Sequence, residues 1–210
     1  MEKLFFENKY THKLCGIFNK SDNNDKKIII LCHGGNSSKD GYTYVDFEKR
    51  IQEINMSSFR FDFTGHGESE GNPEDFTIQR GVEDILSAID FLNSKGFQEF
   101  AILGSSRGGT CALRAGLKTS KVKCLVLICP GSSFEDYSER KMIAKDFQNP
   151  LLIIHGDKDQ SISIKHSKEL CNLISDCRLE VIKGADHNFT NPEDNKKRLD
   201  LGIVFLQEYL

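Results

Sequence analysis

Short apolar runs rich in β-branched residues recur along the chain. They lie at 27–32 (KIIILC), 59–63 (FRFDF), 100–103 (FAIL), 122–129 (VKCLVLIC), 151–155 (LLIIH) and 178–182 (RLEVI). Most are continuous rather than alternating, the pattern of strands buried on both faces of a parallel sheet. Between them lie stretches of helical period at 44–54, 78–94, 107–117, 164–174 and 193–210. In the second, Ile78, Val82, Ile85, Leu86, Ile89 and Leu92 fall three and four apart and draw one apolar stripe. Ahead of the first buried strand, 4–8 and 12–18 predict a hairpin turning near Asn8 and Lys9, followed by a polar loop at 19–27. Strands alternating with helices predict an α/β fold: a mostly parallel sheet of about eight strands, helices on both faces and right-handed crossovers. In such sheets ligands bind beyond the carboxyl ends of the strands, so the segments just after each apolar run carry the interest.

Composition narrows the field. The 210 residues fit a single domain, 1–210, and 28 basic against 31 acidic side chains give a net charge of −3. That balance argues against a nucleic-acid partner. No apolar run reaches the roughly 18–20 residues of a membrane span, so no membrane partner is expected. The opening MEKLFFE is too short and too charged for a signal peptide. Seven cysteines, an odd number without close pairs, predict reduced thiols and a cytoplasmic protein. Nothing bears on the oligomeric state.

The strand ends hold the candidate chemistry. After 100–103 comes Gly104-Ser105-Ser106-Arg107-Gly108-Gly109, a G-x-S-x-G motif centred on Ser106 and followed by a helix of small residues. Glycines there permit a tight strand–turn–helix that holds the serine in a strained, exposed position. A serine hydroxyl needs a base to take its proton and an acid to orient that base. The candidates follow in order, Gly156-Asp157-Lys158-Asp159 after 151–155 and Gly184-Ala185-Asp186-His187 after 178–183. Asp157 competes with Asp159 for the acid, and Asp136 is a remoter option.

With these motifs in view, the sequence resembles the α/β-hydrolase family over essentially its whole length. The nearest likeness is to small esterases, monoacylglycerol-lipase-like enzymes and serine aminopeptidase-like members. The resemblance is carried by His33-Gly34-Gly35-Asn36, by Arg60-Phe61-Asp62-Phe63-Thr64-Gly65-His66-Gly67-Glu68-Ser69, by the serine turn, by His155-Gly156-Asp157-Lys158-Asp159 and by Gly184-Ala185-Asp186-His187. It implies Ser106 as nucleophile, Asp159 as acid and His187 as base. It further implies an oxyanion hole made by the backbone N–H groups of Gly35 and Arg107. Such a donor is worth about 3–4 kcal/mol in the transition state.

Other residues read more plainly. His33, His66 and His155 sit beside glycines at strand ends and are expected to brace loops, and Asp62 to order the Gly65–Glu68 turn. Gly65-x-Gly67-x-x-x-Gly71 is one residue too long for a dinucleotide loop, and Pro73 follows where a helix should open. No phosphate loop and no metal or cofactor site is indicated; Cys32, Cys111, Cys124 and Cys129 read as core filler. Arg107 is odd, because a cation in the first turn of a helix opposes the macrodipole. A salt bridge to Glu135 or Asp136 is the expected compensation, and recognition of anionic acyl groups the other reading. Relatives that act on lipids carry a cap after the sixth strand, whereas only about twenty residues lie between Pro130 and Pro150 here. The expected site is therefore open, shaped in part by Phe134, Tyr137 and Phe189. The reading that results is a serine hydrolase acting on short-chain or soluble carboxylic esters. An amide or peptide hydrolase, or a non-catalytic binding module, are the alternatives.

Overall fold

Each residue of the strand β3 (Lys27–Cys32) after Lys27 is buried, and its side chains alternate between two cores. Ile28, Ile30 and Cys32 enter one, and Ile29 and Leu31 enter the other. That is why its sequence shows no polar alternation: both faces of the strand are covered. In the computed structural model, which describes residues 1–23, 26–131 and 146–210, β3 lies at the centre of an eight-stranded sheet.

The other strands are β1 (Glu2–Glu7), β2 (Lys13–Asn19), β4 (Ser57–Phe61), β5 (Glu99–Ser105), β6 (Val122–Ile128), β7 (Leu151–Gly156) and β8 (Cys177–Ile182). Their order is β1-β2-β4-β3-β5-β6-β7-β8. β1 and β2 form the predicted antiparallel hairpin, β2 pairs antiparallel with β4, and every other pairing is parallel. Five helices connect them among the described residues: α1 (Tyr42–Glu53), α2 (Ile78–Ser94), α3 (Arg107–Gly116), α4 (Ile164–Leu173) and α5 (Pro192–Tyr209). α2, α3 and α4 cover the first core, with Val82, Ile85, Ile89 and Leu92 of the predicted stripe pointing inward. α1 and α5 cover the second through Tyr44, Phe47, Ile51, Leu199, Ile203 and Leu206.

Three details depart from the sequence expectation. β4 begins at Ser57 rather than Phe59, and Ser57 and Ser58 are both buried in the ladder. Its pairing with β2 and β3, and not its apolar content, sets its length. A short 3-10 turn, Pro73–Asp75, precedes α2 and is closed by reciprocal bonds between Asn72 and Asp75. The expectation of reduced thiols throughout is corrected by a disulfide between Cys171 and Cys177, whose Cα atoms lie 5.3 Å apart across the α4–β8 connection. The remaining five cysteines are free and buried. No helix among the described residues is long and apolar enough to cross a membrane. Phe134, Tyr137, Glu135 and Asp136, with most of the segment between Pro130 and Pro150 where a minimal cap is expected, lie outside the described residues.

Candidate active site

Ser106 stands between β5 and α3 with φ 52° and ψ −121°, a backbone conformation that costs a non-glycine residue about 1–3 kcal/mol. Its surroundings hold it there. Ser106 N–H donates to the Ile128 carbonyl at 2.8 Å, and its own carbonyl accepts from Thr110 and Gly131. The flanking glycines are needed because backbones meet: a Cβ on Gly108 would lie 2.2 Å from the His33 carbonyl oxygen, and one on Gly104 2.6 Å from that of Gly108. The helix can therefore start directly behind the serine and against the end of β3.

The loop after β3 passes over the same point. A Cβ on Gly34 would come within 3.3 Å of the Ser106 Cβ. Gly34 N–H is already used, donating to the Tyr44 hydroxyl at 3.0 Å. His33 fixes the loop from beneath: its Nε2 accepts from Phe63 N–H at 3.0 Å, so Nδ1 carries the proton and donates to the Gly34 carbonyl at 2.7 Å. Burial pushes His33 down to about 4, in keeping with this neutral form. Farther along, the buried Lys39 ammonium reaches Asp62 at 2.9 Å and Glu68 at 2.8 Å. Burial alone would lower the lysine, but the Glu68 and Asp62 bonds outweigh it and hold it raised. The hydrogen bonds from Lys3 and Lys39 in turn draw Glu68 down to about 2. Asp62 also accepts from Glu68 N–H, the turn-ordering role expected of it. No sequence signal marked Lys39, which sits in an ordinary polar segment.

The acid and base candidates lie on the loops after β7 and β8. Asp159 Oδ2 is 2.6 Å from His187 Nδ1, while Oδ1 accepts from the N–H groups of Ser161 and Ile162, each at 2.8 Å. Burial would raise this carboxyl, but the Ile162 N–H and the His187 ring outweigh it and hold it below the usual carboxylate range. Asp157 is occupied elsewhere, accepting from Gly184 N–H at 2.6 Å, which ties the two loops together. His155 bonds Ser167 and the Ile162 carbonyl and lies 3.2 Å from Asp159, bracing the turn as expected. Burial lowers its basicity.

The His187 loop has its own frame. Asp186 accepts from Asn188 N–H at 3.1 Å, from Thr190 N–H at 3.0 Å and from the Thr190 hydroxyl. The Tyr42 hydroxyl donates to the Asn188 carbonyl. Phe189, expected to wall the substrate site, is only 1% exposed and belongs to the second core. Its backbone at φ 55° sends the side chain under the loop, where the buried Arg198 guanidinium stacks 4.9 Å from its ring. Phe189 thus supports the loop from below. Arg198 carried no sequence signal; it donates to Thr43 at 3.2 Å and to Asn195.

Arg107 is exposed at the start of α3. Its Nη1 donates to the Phe76 carbonyl at 3.3 Å and its guanidinium lies 5.4 Å from the Phe76 ring centre. A Cβ on Gly35 would sit 3.7 Å from the Arg107 Cζ, so the side chain reaches across the loop of the second predicted oxyanion donor.

Cys129, Asp159 and His187 present three donor atoms within 4.8 Å of one another. Ligands sharing a tetrahedral zinc sit about 3.4 Å apart, given bond lengths near 2.1 Å. Asp159 and His187 are closer than that and hydrogen-bonded, and burial pushes the Cys129 thiol up, away from thiolate. The trio fits a hydrogen-bonded cluster better than a metal centre. A separate concavity of about 700 Å³ lies across the outer face of α5 and β8, lined by Arg178, Lys196, Val204 and Phe205 among others, remote from Ser106 in the fold.

Comparison with known proteins agrees with this architecture. Among solved structures, Est1E from Butyrivibrio proteoclasticus, determined with ferulic acid bound, superposes with a TM-score of 0.85 at 20% identity, covering 98% of each chain. Mouse alpha/beta hydrolase domain-containing protein 10 superposes with a TM-score of 0.82 at 19% identity, covering 99% of each. At these identities the likeness establishes the fold. In sequence, YfhR of Escherichia coli K12, a protein without an assigned activity, is 26% identical over 182 residues, 78% of this chain. The chain spans 64% of the length of YfhR. Human mitochondrial palmitoyl-protein thioesterase ABHD10 is 34% identical over 99 residues, 47% of this chain and 31% of that protein. Residues 23–144 match the family described as serine aminopeptidase S33 (Hydrolase_4). That match takes in the Gly35 loop, the Asp62 turn and the serine elbow, more than half of the 210 residues, and the chain belongs to this family of α/β hydrolases.

Proposed function

We propose that the protein is a serine hydrolase that cleaves carboxylic esters through an acyl-enzyme. The observation that carries this reading is the 2.6 Å bond between Asp159 and His187 Nδ1, which leaves Nε2 as the ring's free nitrogen, together with the strained Ser106 backbone at the head of α3. In this reading Ser106 Oγ attacks the ester carbonyl while His187 Nε2 takes its proton. Asp159, with its second oxygen bound to two backbone N–H groups, orients the ring and stabilises the imidazolium. The backbone N–H groups of Gly35 and Arg107 receive the developing oxyanion; Gly34 N–H is committed to Tyr44 and does not compete for that role. His187 then returns the proton to the leaving alcohol. It next takes one from water, which attacks the acyl-Ser106 carbonyl; the bond to Ser106 Oγ then breaks as His187 returns the proton to it, freeing the acid and restoring the enzyme.

Short or soluble esters are the proposed substrates. Thioesters are a second reading, favoured by the thioesterase relative, and the same residues would serve it. A fluorophosphonate probe compared on wild type and Ser106→Ala tests the core of the proposal, with a p-nitrophenyl ester series from acetate to palmitate alongside. Labelling confined to Ser106, and a loss of ester turnover of at least about 10³-fold in the variant, is expected. Equal labelling of both proteins would overturn it.

A further inference from the structure

We infer that two copies of this chain associate through the free edge of β8, strand against strand about a twofold axis centred on Leu179. Among the described residues β8 pairs only with β7, so its other edge has no partner. Residues 132–145 leave and rejoin the described fold over β5 and β6, where Gly131 N–H donates to the Ser106 carbonyl and Phe147 packs on Gly116. The strand also lacks the usual protections of an edge. It contains no proline or glycine, and its register with β7 runs unbroken from Cys177 to Ile182. Two large apolar side chains lie open here: Val181 on the strand, 39% exposed, and Val204 on the outer face of α5, 63% exposed. Val204, Arg178 and Glu180 all line the concavity of about 700 Å³ beside this edge.

Backbone geometry fixes which residues meet a second strand. At the two ends of β8 the carbonyls of Asp176 and Ile182 accept from Leu151 N–H and Asp157 N–H, and so point toward β7. Backbone groups alternate sides along a strand, so Cys177, Leu179 and Val181 turn N–H and C=O to the free edge. Side chains alternate as well. Arg178 bonds Glu208 on α5 and Ile182 enters the second core, whereas Leu179 packs against the first. Antiparallel pairing of two copies must join odd residues to odd residues and keep like faces together. Only two such registers overlap five of the strand's six residues. Centring the axis on Glu180 sets that residue against its own copy, and like charges directly opposite are destabilising. Centring it on Leu179 sets each Arg178 opposite Glu180 of the partner subunit. Those contacts fall at non-hydrogen-bonded pairs, where side chains come closest. The bond to Glu208 already fixes the Arg178 guanidinium on this face, and its five donors exceed what one carboxylate takes. On the opposite face Leu179 meets its own copy, and Val181 is covered by Cys177 of the partner subunit. The charge pattern of β8 is thus complementary to itself, which commits the edge to a second copy of this chain.

A single short edge is a small contact, so the expected dimer dissociates in the micromolar range, where sedimentation velocity reads it. The wild type should pass from monomer to dimer as its concentration rises. Glu180→Arg sets arginine opposite Arg178 and should weaken the dimer at least about tenfold; Arg178→Glu should do the same. An equal mixture of the two variants should recover the dimer, because every charged pair between them is again Arg with Glu. Thermal melting checks that each variant is folded. Should loss of the Glu208 bond unfold Arg178→Glu, the exposed Glu180→Arg change carries the test alone. A wild type that stays monomeric through several hundred micromolar overturns the inference. So does a dimer that Glu180→Arg leaves unweakened, which places the contact on another face. A mixture of folded variants that stays monomeric overturns the register and the inference with it.

Discussion

Around Ser106 the chain is held by backbone packed on backbone, whereas around His187 it is held by side-chain hydrogen bonds. At the serine, the end of β3, the head of α3 and the Gly34 loop approach so closely that glycines 104 and 108 have no room for a Cβ. At the histidine, Asp157, Asp159 and Asp186 each spend their oxygens on loop N–H groups, and a Cβ on Gly184 would meet nothing within 4 Å. The first arrangement is rigid and intolerant of added volume. The second tolerates volume but depends on particular acceptors. A site built this way should fail in two distinguishable ways, by unfolding on one side and by loss of chemistry on the other.

The sharpest test exchanges the two aspartates of the β7 loop. On the proposed mechanism, Asp159→Asn should lower kcat about 10⁴-fold by removing the ionised partner of His187, while leaving the melting profile nearly intact. Asp157→Ala, which removes only a link to Gly184, should stay within about threefold of wild type in kcat/KM. Steady-state kinetics showing the opposite order would reassign the acid. Next in size comes volume. Gly108→Ala drives a methyl into two backbone carbonyls and should cost at least about 3 kcal/mol in urea unfolding. Gly184→Ala, with φ at 88° but open space around it, should cost only about 1 kcal/mol. Similar losses at the two positions would erase the contrast.

The third test uses acid. His33 is held down to about 4 by burial, against about 6.5 in an unfolded chain. Between those values the unfolded state binds a proton that the folded state does not, so folding stability falls as pH drops through that window. The expected loss from His33 is about 2–3 kcal/mol from pH 7 to pH 4, measured by urea titration. His155, lowered likewise by burial, adds to the slope on the other side of the site. His33→Gln should flatten the wild-type slope without abolishing it, and an unchanged slope would show that His33 is not held neutral.

Much of this architecture was legible because its causes are local. The apolar run at 27–32 and the stripe from Ile78 to Leu92 became β3 and α2 with their predicted limits. The glycines around Ser106 announced a tight turn because only glycine fits there. What could not be read depends on distant partners. Ser57 and Ser58 are polar, and only their neighbours in β2 and β3 make them strand. Phe189 reads as a pocket wall beside His187 until the loop frame turns it toward Arg198. Lys39 and Arg198 look like surface cations, and their burial follows from partners 23 and 155 residues away. Cys171 and Cys177 are six residues apart, a separation that signals a bridge only once a helix end and a strand start are known to meet there.

That bridge closes a ring of about seven residues, and tying so short a loop removes about 2–3 kcal/mol of chain entropy from the unfolded state. Its location gives the figure weight. β8 is the last strand of the sheet, supported by a neighbour on one side only, and His187 follows five residues beyond its end. The sulfur–sulfur link anchors the far end of this edge strand to α4, so fraying cannot begin there and travel toward the histidine.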